Sequence, residues 1–487
     1  MRRSRAGKDE AVPSGRVNRV WKTGGMPQFD LCVIGSGSGN SLITGEFADR
    51  SIALVDGAPR FGGTCLNAGC IPTKMFSLAA DTAEQARRAW RLGVHANMVD
   101  VDWTSVRDRV FGRVDPIAAS GEAHRRSNPN VTLYREFGRF VAPGVLQVGD
   151  EQITATDFVL AAGSRPRLLD VPGMDDPALA GLLHTSDTIM RLDALPARLV
   201  ILGGGVVAVE FAHIFAGLGS QVTLVHRGPG LLREADTEIS DRFTTALSER
   251  VTVRLNQRVT GFTPDDRGGV VVETEDADGI EYFFEGDQVL LALGRVPNSD
   301  TLDVSAAGIA TDAAGRVVVD EHQRVGAGVW ALGDICAPKM LKHVANHELR
   351  VVAHNLLHPD NLVAADHRFM PQAVFSGPQV AWVGLTEREA AERGQPFVSS
   401  VRGYDSVAYG WAMEDDGTHV VKLLADPESG QLLGAHIIGP DAAVLLQPLT
   451  QAMSTGLAAP AMARGQYWIH PALSEVVENA LLDLPLS

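Results

Sequence analysis

Apolar and polar positions repeat one plan twice along the chain: a short, wholly apolar run, a glycine turn, a stretch of helical length, and a second apolar run roughly twenty residues on. The first copy runs from residues 31–34 through the turn 35–40 to 51–56, and the second from 199–202 through 203–208 to 221–226. Runs of four or five apolar residues without alternation predict strands of a parallel sheet buried on both faces. Strand, glycine turn, helix and strand in that order predict two Rossmann-like nucleotide-binding units. Residues 199–219 are long and apolar enough to suggest a membrane span, but Glu210, His213 and the break Gly203-Gly204-Gly205 favour strand, turn and helix.

Two further buried strands, 158–162 and 288–293, each run into a glycine and a proline, Gly163-Ser164-Arg165-Pro166 and Gly294-Arg295-Val296-Pro297. They predict crossings into and out of an inserted unit, near residues 166 and 296. After about residue 367 the pattern changes to alternating strands, such as 420–424 and 432–438, followed by helical stretches. That predicts a separate α+β unit. Residues 1–25 are basic and polar with no apolar core, and are expected to be a disordered tail rather than a signal peptide, with translation natively starting at Met26.

Composition narrows the chemistry. A chain of 487 residues predicts about three domains. A formal charge of −16 argues against a nucleic-acid surface. Four cysteines are too few for a disulfide framework, so a reducing, cytoplasmic compartment is expected and any cysteine pair is a candidate for redox chemistry.

In the first turn Gly35 permits a tight bend, while Gly37 and Gly39 keep the backbone bare for a pyrophosphate; the third fingerprint position is Asn40 instead of glycine. Asp56, ending the next strand, is the expected acceptor for a ribose. The second turn, with Gly203, Gly205 and Ala208, leads to His226 where an acid would select NAD; Arg227 and Arg233 follow and suit a 2′-phosphate, which predicts NADPH. Gly333-Asp334, closing the apolar run 329–332, offers a carboxylate to a ribityl hydroxyl.

Cys65 and Cys70 lie five positions apart in Gly62-Gly63-Thr64-Cys65-Leu66-Asn67-Ala68-Gly69-Cys70-Ile71-Pro72-Thr73-Lys74. In a regular helix their Cα atoms would stand about 8–9 Å apart, whereas a disulfide requires less than about 7 Å. A bonded pair therefore demands a break between them, and Gly69 and Pro72 supply irregular backbone. No neighbouring ligands complete a zinc site. The helix predicted from residue 71 would stabilise a thiolate at its N-terminus, with Lys74 one turn in. Cys32 and Cys336 are expected to be buried bystanders. Near the end, His470 precedes Pro471, suited to a first helical position, and Glu475 is placed to orient the imidazole.

Together these segments resemble the pyridine nucleotide–disulfide oxidoreductases, the family of glutathione reductase and lipoamide dehydrogenase, across 26–487. The resemblance implies an FAD-binding domain from 26–165 and 297–366, an NAD(P)-binding domain at 166–296 and a dimerisation domain at 367–487. It implies FAD held by Gly35, Gly37, Gly39, Asp56, Gly63, Thr64, Lys74, Gly163, Gly294, Arg295, Gly333 and Asp334, and NADPH by Gly203, Gly205, Arg227 and Arg233. By the same resemblance Cys70 faces the flavin, Cys65 attacks a substrate disulfide, Lys74 and Glu210 form a pair near flavin and nicotinamide, and His470 with Glu475 serves as acid and base from the other subunit of a homodimer. Ala162 and Arg324 depart from the family pattern, as does Asn40. Stretches 341–348, 409–415 and 462–473 narrow the resemblance to members acting on a low-molecular-weight disulfide. Lipoamide dehydrogenase, glutathione reductase-like, mercuric reductase and large thioredoxin reductase activities are the rivals, and a flavin-bound dimer without turnover is the alternative of another class.

Overall fold

The computed structural model describes residues 25–486, so the predicted tail, but for Gly25, lies outside the described residues. Strand Gln28–Ile34 forms the centre of the first sheet, parallel to Ile52–Val55 on one side and to Glu151–Leu160 on the other. Val131–Tyr134 and Val329–Ala331 extend the parallel set outward, and an antiparallel hairpin from Gly138–Ala142 and Val145–Val148 joins its flank. Leu31, Val33 and Leu54 pack on one face with Phe47 and Leu332, while Cys32, Ile34 and Ala53 pack on the other with Phe140 and Phe158. Burial on both faces is why these strands read as unbroken apolar runs.

The second unit repeats the plan: Arg198–Leu202 is parallel to Gln221–Val225 and to Gln288–Leu291. Its crossings are themselves paired, with Ser164–Pro166 antiparallel to Arg295–Pro297. The third unit is a five-stranded antiparallel sheet in which Val420–Ala425 and Leu432–Ile438 are central, backed by the helices Ala442–Thr455 and Ser474–Leu482. The molecule is thus α/β, with two Rossmann-like units and a C-terminal α+β unit.

Two local expectations are corrected. After the first glycine turn the predicted helix appears as two short 3₁₀ segments, Gly39–Leu42 and Gly45–Phe47. Ile43 N–H closes the tighter turn on the Asn40 carbonyl, which together with Asn40 Oδ1 also accepts from the Arg125 guanidinium (2.8 and 2.6 Å). At the C-terminus Pro471 is not the first helical residue. The backbone ladder begins only with Glu475 N–H to Ala472 and Val476 N–H to Leu473, and the helix opens at Ser474.

Candidate active site

Gly35, Asp56, Gly163, Gly203, Gly294 and Gly333 follow the carboxyl ends of parallel strands, where doubly wound sheets open a crevice. Gly35 (φ +112°) and Gly203 (φ +134°) turn their chains so tightly that a Cβ on either would stand 2.2 Å from a carbonyl oxygen of the neighbouring strand's end, Ala161 and Ala292 respectively. Gly37 and Gly63 face each other, a Cβ on Gly63 falling 2.6 Å from the Gly37 Cα. This bare-backbone cradle fits a pyrophosphate, and Gly163 borders open space on its far side. Asp56 is buried and already accepts from the backbone N–H of Ser36 (2.7 Å) and of Ala58 (2.8 Å), with Arg135 beside it at 3.4 Å. Asp334 accepts from the Ser164 hydroxyl (2.6 Å), which in turn receives Arg295 Nε (2.7 Å). Arg295 also reaches toward Thr64 Oγ1 at 3.5 Å.

In the second crevice the His226 ring lies across Gly204, where a Cβ would come within 2.6 Å of it. Its Nε2 is buried without a partner. Burial, then Arg233 and Arg227, hold His226 toward its neutral form. Both arginines are exposed, and no carboxylate among the described residues pairs with them.

The cysteines occupy a broken helix. Cys65 sits in the short helix Gly63–Asn67, the chain kinks at Ala68 and Gly69, and Cys70 is the first residue of Cys70–Arg88. Asn67 fastens the kink by donating to the carbonyls of Phe61 (2.9 Å) and Gly63 (3.1 Å), and the Thr73 hydroxyl donates to Gly69 (2.9 Å). Both sulfurs are thiols here. A hydrogen bond from Cys70 brings the Cys65 thiol down to about 7 against the cost of burial, with Lys342 and the N–H groups of Cys70 and Ile71 assisting. The same bond and burial push Cys70 up. Cys32 and Cys336 are buried, and burial raises both.

Below the pair, Lys74 Nζ stands 3.7 Å over the Phe375 ring, while Glu210, on the helix Val206–Leu218, accepts from the Phe375 N–H at 2.9 Å. Burial depresses Lys74 and lifts Glu210 to about 7. Phe375 thus touches both side chains, its ring under the Lys74 ammonium and its backbone N–H on the Glu210 carboxylate. Far from this cluster, His470 Nδ1 is 2.9 Å from Glu475 Oε1. The imidazole is 71% exposed, flanked by exposed Tyr467 and Ile469. The cysteine helix packs on Val206–Leu218 and on Trp103–Ser127, whereas the dyad's helix packs on the third unit's own strands. One chain does not bring the two halves together.

A family model for pyridine nucleotide-disulphide oxidoreductases matches residues 29–354, and the corresponding dimerisation domain matches 370–481. The chain belongs to this family. It is 49% identical to the mycothione reductase of Mycobacterium tuberculosis (strain H37Rv) over 94% of its own length and all of that protein's. It is 34% identical to a dihydrolipoyl dehydrogenase of Halobacterium salinarum, covering 93% of this chain and 95% of the relative. Among solved structures, the HOCl-induced flavoprotein disulfide reductase RclA of Escherichia coli superposes with a TM-score of 0.81 at 26% identity, over 93% of this chain and 99% of that one. The chain is thus a disulfide oxidoreductase of a family that takes FAD and a nicotinamide dinucleotide, and no helix among the described residues is long and apolar enough to cross a membrane.

Within the family's frame, several side chains at these sites escape sequence reasoning: Arg125 on Asn40, Arg135 on Asp56, Ser164 on Asp334, Phe375 against Lys74 and Glu210, and Lys342 on Ser38. None carries a local motif, and each reaches its partner across dozens of residues of chain.

Proposed function

We propose that the protein is an NADPH-dependent FAD flavoprotein that reduces a low-molecular-weight disulfide, mycothione, to two thiols. The observation carrying this reading is the Cys65 and Cys70 pair on either side of a helix break. The glycine turn 35–39, Asp56, Gly163, Arg295 and Asp334 would hold FAD, which when bound supplies two-electron transfer from nicotinamide to the cysteine disulfide. Gly203, Gly205, Arg227 and Arg233 would hold NADPH, the exposed arginines supplying the positive charge that a 2′-phosphate requires.

The rest is the work of this chain's own groups. The Cys65 thiolate attacks one sulfur of the substrate, forming a mixed disulfide and expelling the first thiolate. The thiolate of Cys70, its proton released, then attacks Cys65, restoring the intramolecular disulfide and expelling the second. Each leaving sulfur takes a proton, and the donor is His470 of the partner subunit, oriented by Glu475 of the partner subunit. An exposed dyad ringed by Tyr467 and Ile469, distant from its own chain's cysteines, supports a homodimer that shares each site. The stretches 341–348, 409–415 and 462–473, with the identity to a mycothione reductase, favour that substrate over lipoamide and glutathione disulfide.

Anaerobic titration with NADPH should produce a long-wavelength charge-transfer absorbance that Cys70→Ser abolishes. Turnover should rank mycothione above glutathione disulfide and lipoamide. No charge-transfer band would overturn the redox reading, and faster turnover of lipoamide would overturn the substrate.

A further inference from the structure

The three elements that carry Lys74, Phe375 and Glu210 are tied together a second time, through side chains that take no part in the chemistry. Glu210 and His213 stand three positions apart on the helix Val206–Leu218, on neighbouring positions of one face. Lys74 and Asp81 stand seven apart on Cys70–Arg88, two turns along one face. Phe375 and Gly377 share the loop before the strand Val380–Gly384. His213, 1% exposed, bridges Asp81, whose Oδ1 is 2.9 Å from its Nε2, and Arg250, whose Nη1 is 3.2 Å from its Nδ1. A guanidinium can only donate, so Nδ1 accepts and Nε2 donates to Asp81. Arg250 Nη1 also donates to the Gly377 carbonyl (2.8 Å), and Nη2 stands 3.7 Å from Glu84, on the Asp81 helix. A Cβ on Gly377 would fall 2.5 Å from Arg250 Nη1 and 3.2 Å from His213 Nδ1, so glycine is needed for this approach.

We propose that His213 and Arg250 are positioning residues for the Lys74, Phe375 and Glu210 cluster and, through it, for hydride transfer from nicotinamide to flavin. Apolar packing between the two helices, close at Ala80 and Gly217, sets their separation but yields to sliding. Directional hydrogen bonds do not yield, because a shift along either helix would leave a buried imidazole or guanidinium unpaired. The Ser77 hydroxyl donates to the Phe375 carbonyl at 3.2 Å, a bond that ties the Lys74 helix to the loop alone. The bridge through His213 and Arg250 adds the Glu210 helix and so fixes all three.

This inference rests on the proposed function in placing the cluster between flavin and nicotinamide, so its test reads the cluster and the reaction separately. Hydrogen exchange of the holoenzyme, followed on the peptide containing Phe375, reports the N–H that Glu210 accepts, and His213→Leu should speed that exchange about tenfold. In rapid mixing with NADPH the same variant should lower the limiting rate of flavin reduction between about 10- and 100-fold and leave the NADPH dissociation constant unchanged. Flavin reduction by excess dithiothreitol, entering through the cysteine pair, should be unchanged, since Asn67 and Thr73 fasten that turn by local bonds. His213→Gln, which keeps a donor and an acceptor, should recover most of the exchange protection and of the rate. Should His213→Leu not hold FAD, Asp81→Ala, at a part-exposed side chain, carries the same test. Unmoved exchange overturns the proposal, and so does an equal loss with NADPH and dithiothreitol, which general destabilisation would produce. Faster exchange with an unmoved NADPH rate overturns the link to hydride transfer. Wild-type flavin that NADPH does not reduce is instead the failure of the proposed function, and exchange still decides whether the two residues hold the cluster.

Discussion

The two glycine turns have matching strand geometry and diverge immediately afterwards. Gly35 and Gly203 approach the end of a neighbouring strand at the same 2.2 Å hypothetical Cβ distance. Beyond Gly203 the chain enters a 13-residue helix, nearly all apolar and mostly buried, whereas beyond Gly35 it makes two 3₁₀ turns tied down by Arg125. The strands end differently too, in Asp56 held by backbone N–H groups and in His226 flanked by free arginines. A duplicated scaffold thus offers the same bare-backbone turn twice, and under the proposed function the residue after the second strand selects the dinucleotide.

The sharpest way to break this equivalence is at the glycines. Gly203→Val should cut nicotinamide-driven flavin reduction by about 100-fold or more while FAD remains bound, because a Cβ displaces the turn by an ångström or more. Gly35→Val should instead yield protein without flavin absorbance. Retention of both cofactors in either variant would refute the shared geometry.

Next in size is the difference in the acidic and basic strand ends. Arg227→Ala and Arg233→Ala should each raise the KM for NADPH roughly tenfold, as expected for a charge-assisted contact of about 1.5 kcal/mol. NADH kinetics should hardly change. Equal losses with both dinucleotides would remove the 2′-phosphate assignment.

Arg125→Ala tests the divergence after the first turn. It strips Asn40 of two hydrogen bonds, and the midpoint of urea unfolding should show a loss of about 1–3 kcal/mol. The equivalent helix of the second unit needs no such support, so unchanged stability would mean that the 3₁₀ turns hold themselves.

The smallest effect lies where the copies touch. Glu210, on the second unit's helix, is raised from its ordinary 4.5 to about 7 by burial against the first unit's Lys74 helix. Folding therefore favours its protonated form: this contribution is present below pH 4.5 and is lost as pH rises through about 7. Thermal melts of flavin-free protein should show wild type losing stability relative to Glu210→Gln over that window. Parallel curves would place Glu210 outside the buried cluster.

Much of this architecture is legible because its signals are local. Apolar runs mark strands buried on both faces, glycines mark turns that admit no Cβ, and a five-residue spacing requires a helix break between Cys65 and Cys70 if the two are to bond. Pro471 misleads because proline tolerates the first helical turn without requiring it, and the ladder starts three residues later. The helix after Gly35 misleads because the turn closes through Ile43 N–H on the Asn40 carbonyl, with Arg125, 85 positions away, donating to the same residue.

The sequence by itself determined the two nucleotide units, the crossings near 166 and 296 and the redox turn, since each depends on neighbours within a few residues. Only the tertiary structure decided that Phe375 touches both Lys74 and Glu210 and that the His470 imidazole beside Glu475 is left exposed. Charge, burial and reach depend on groups that meet through space, and no local pattern encodes which distant residue will be there.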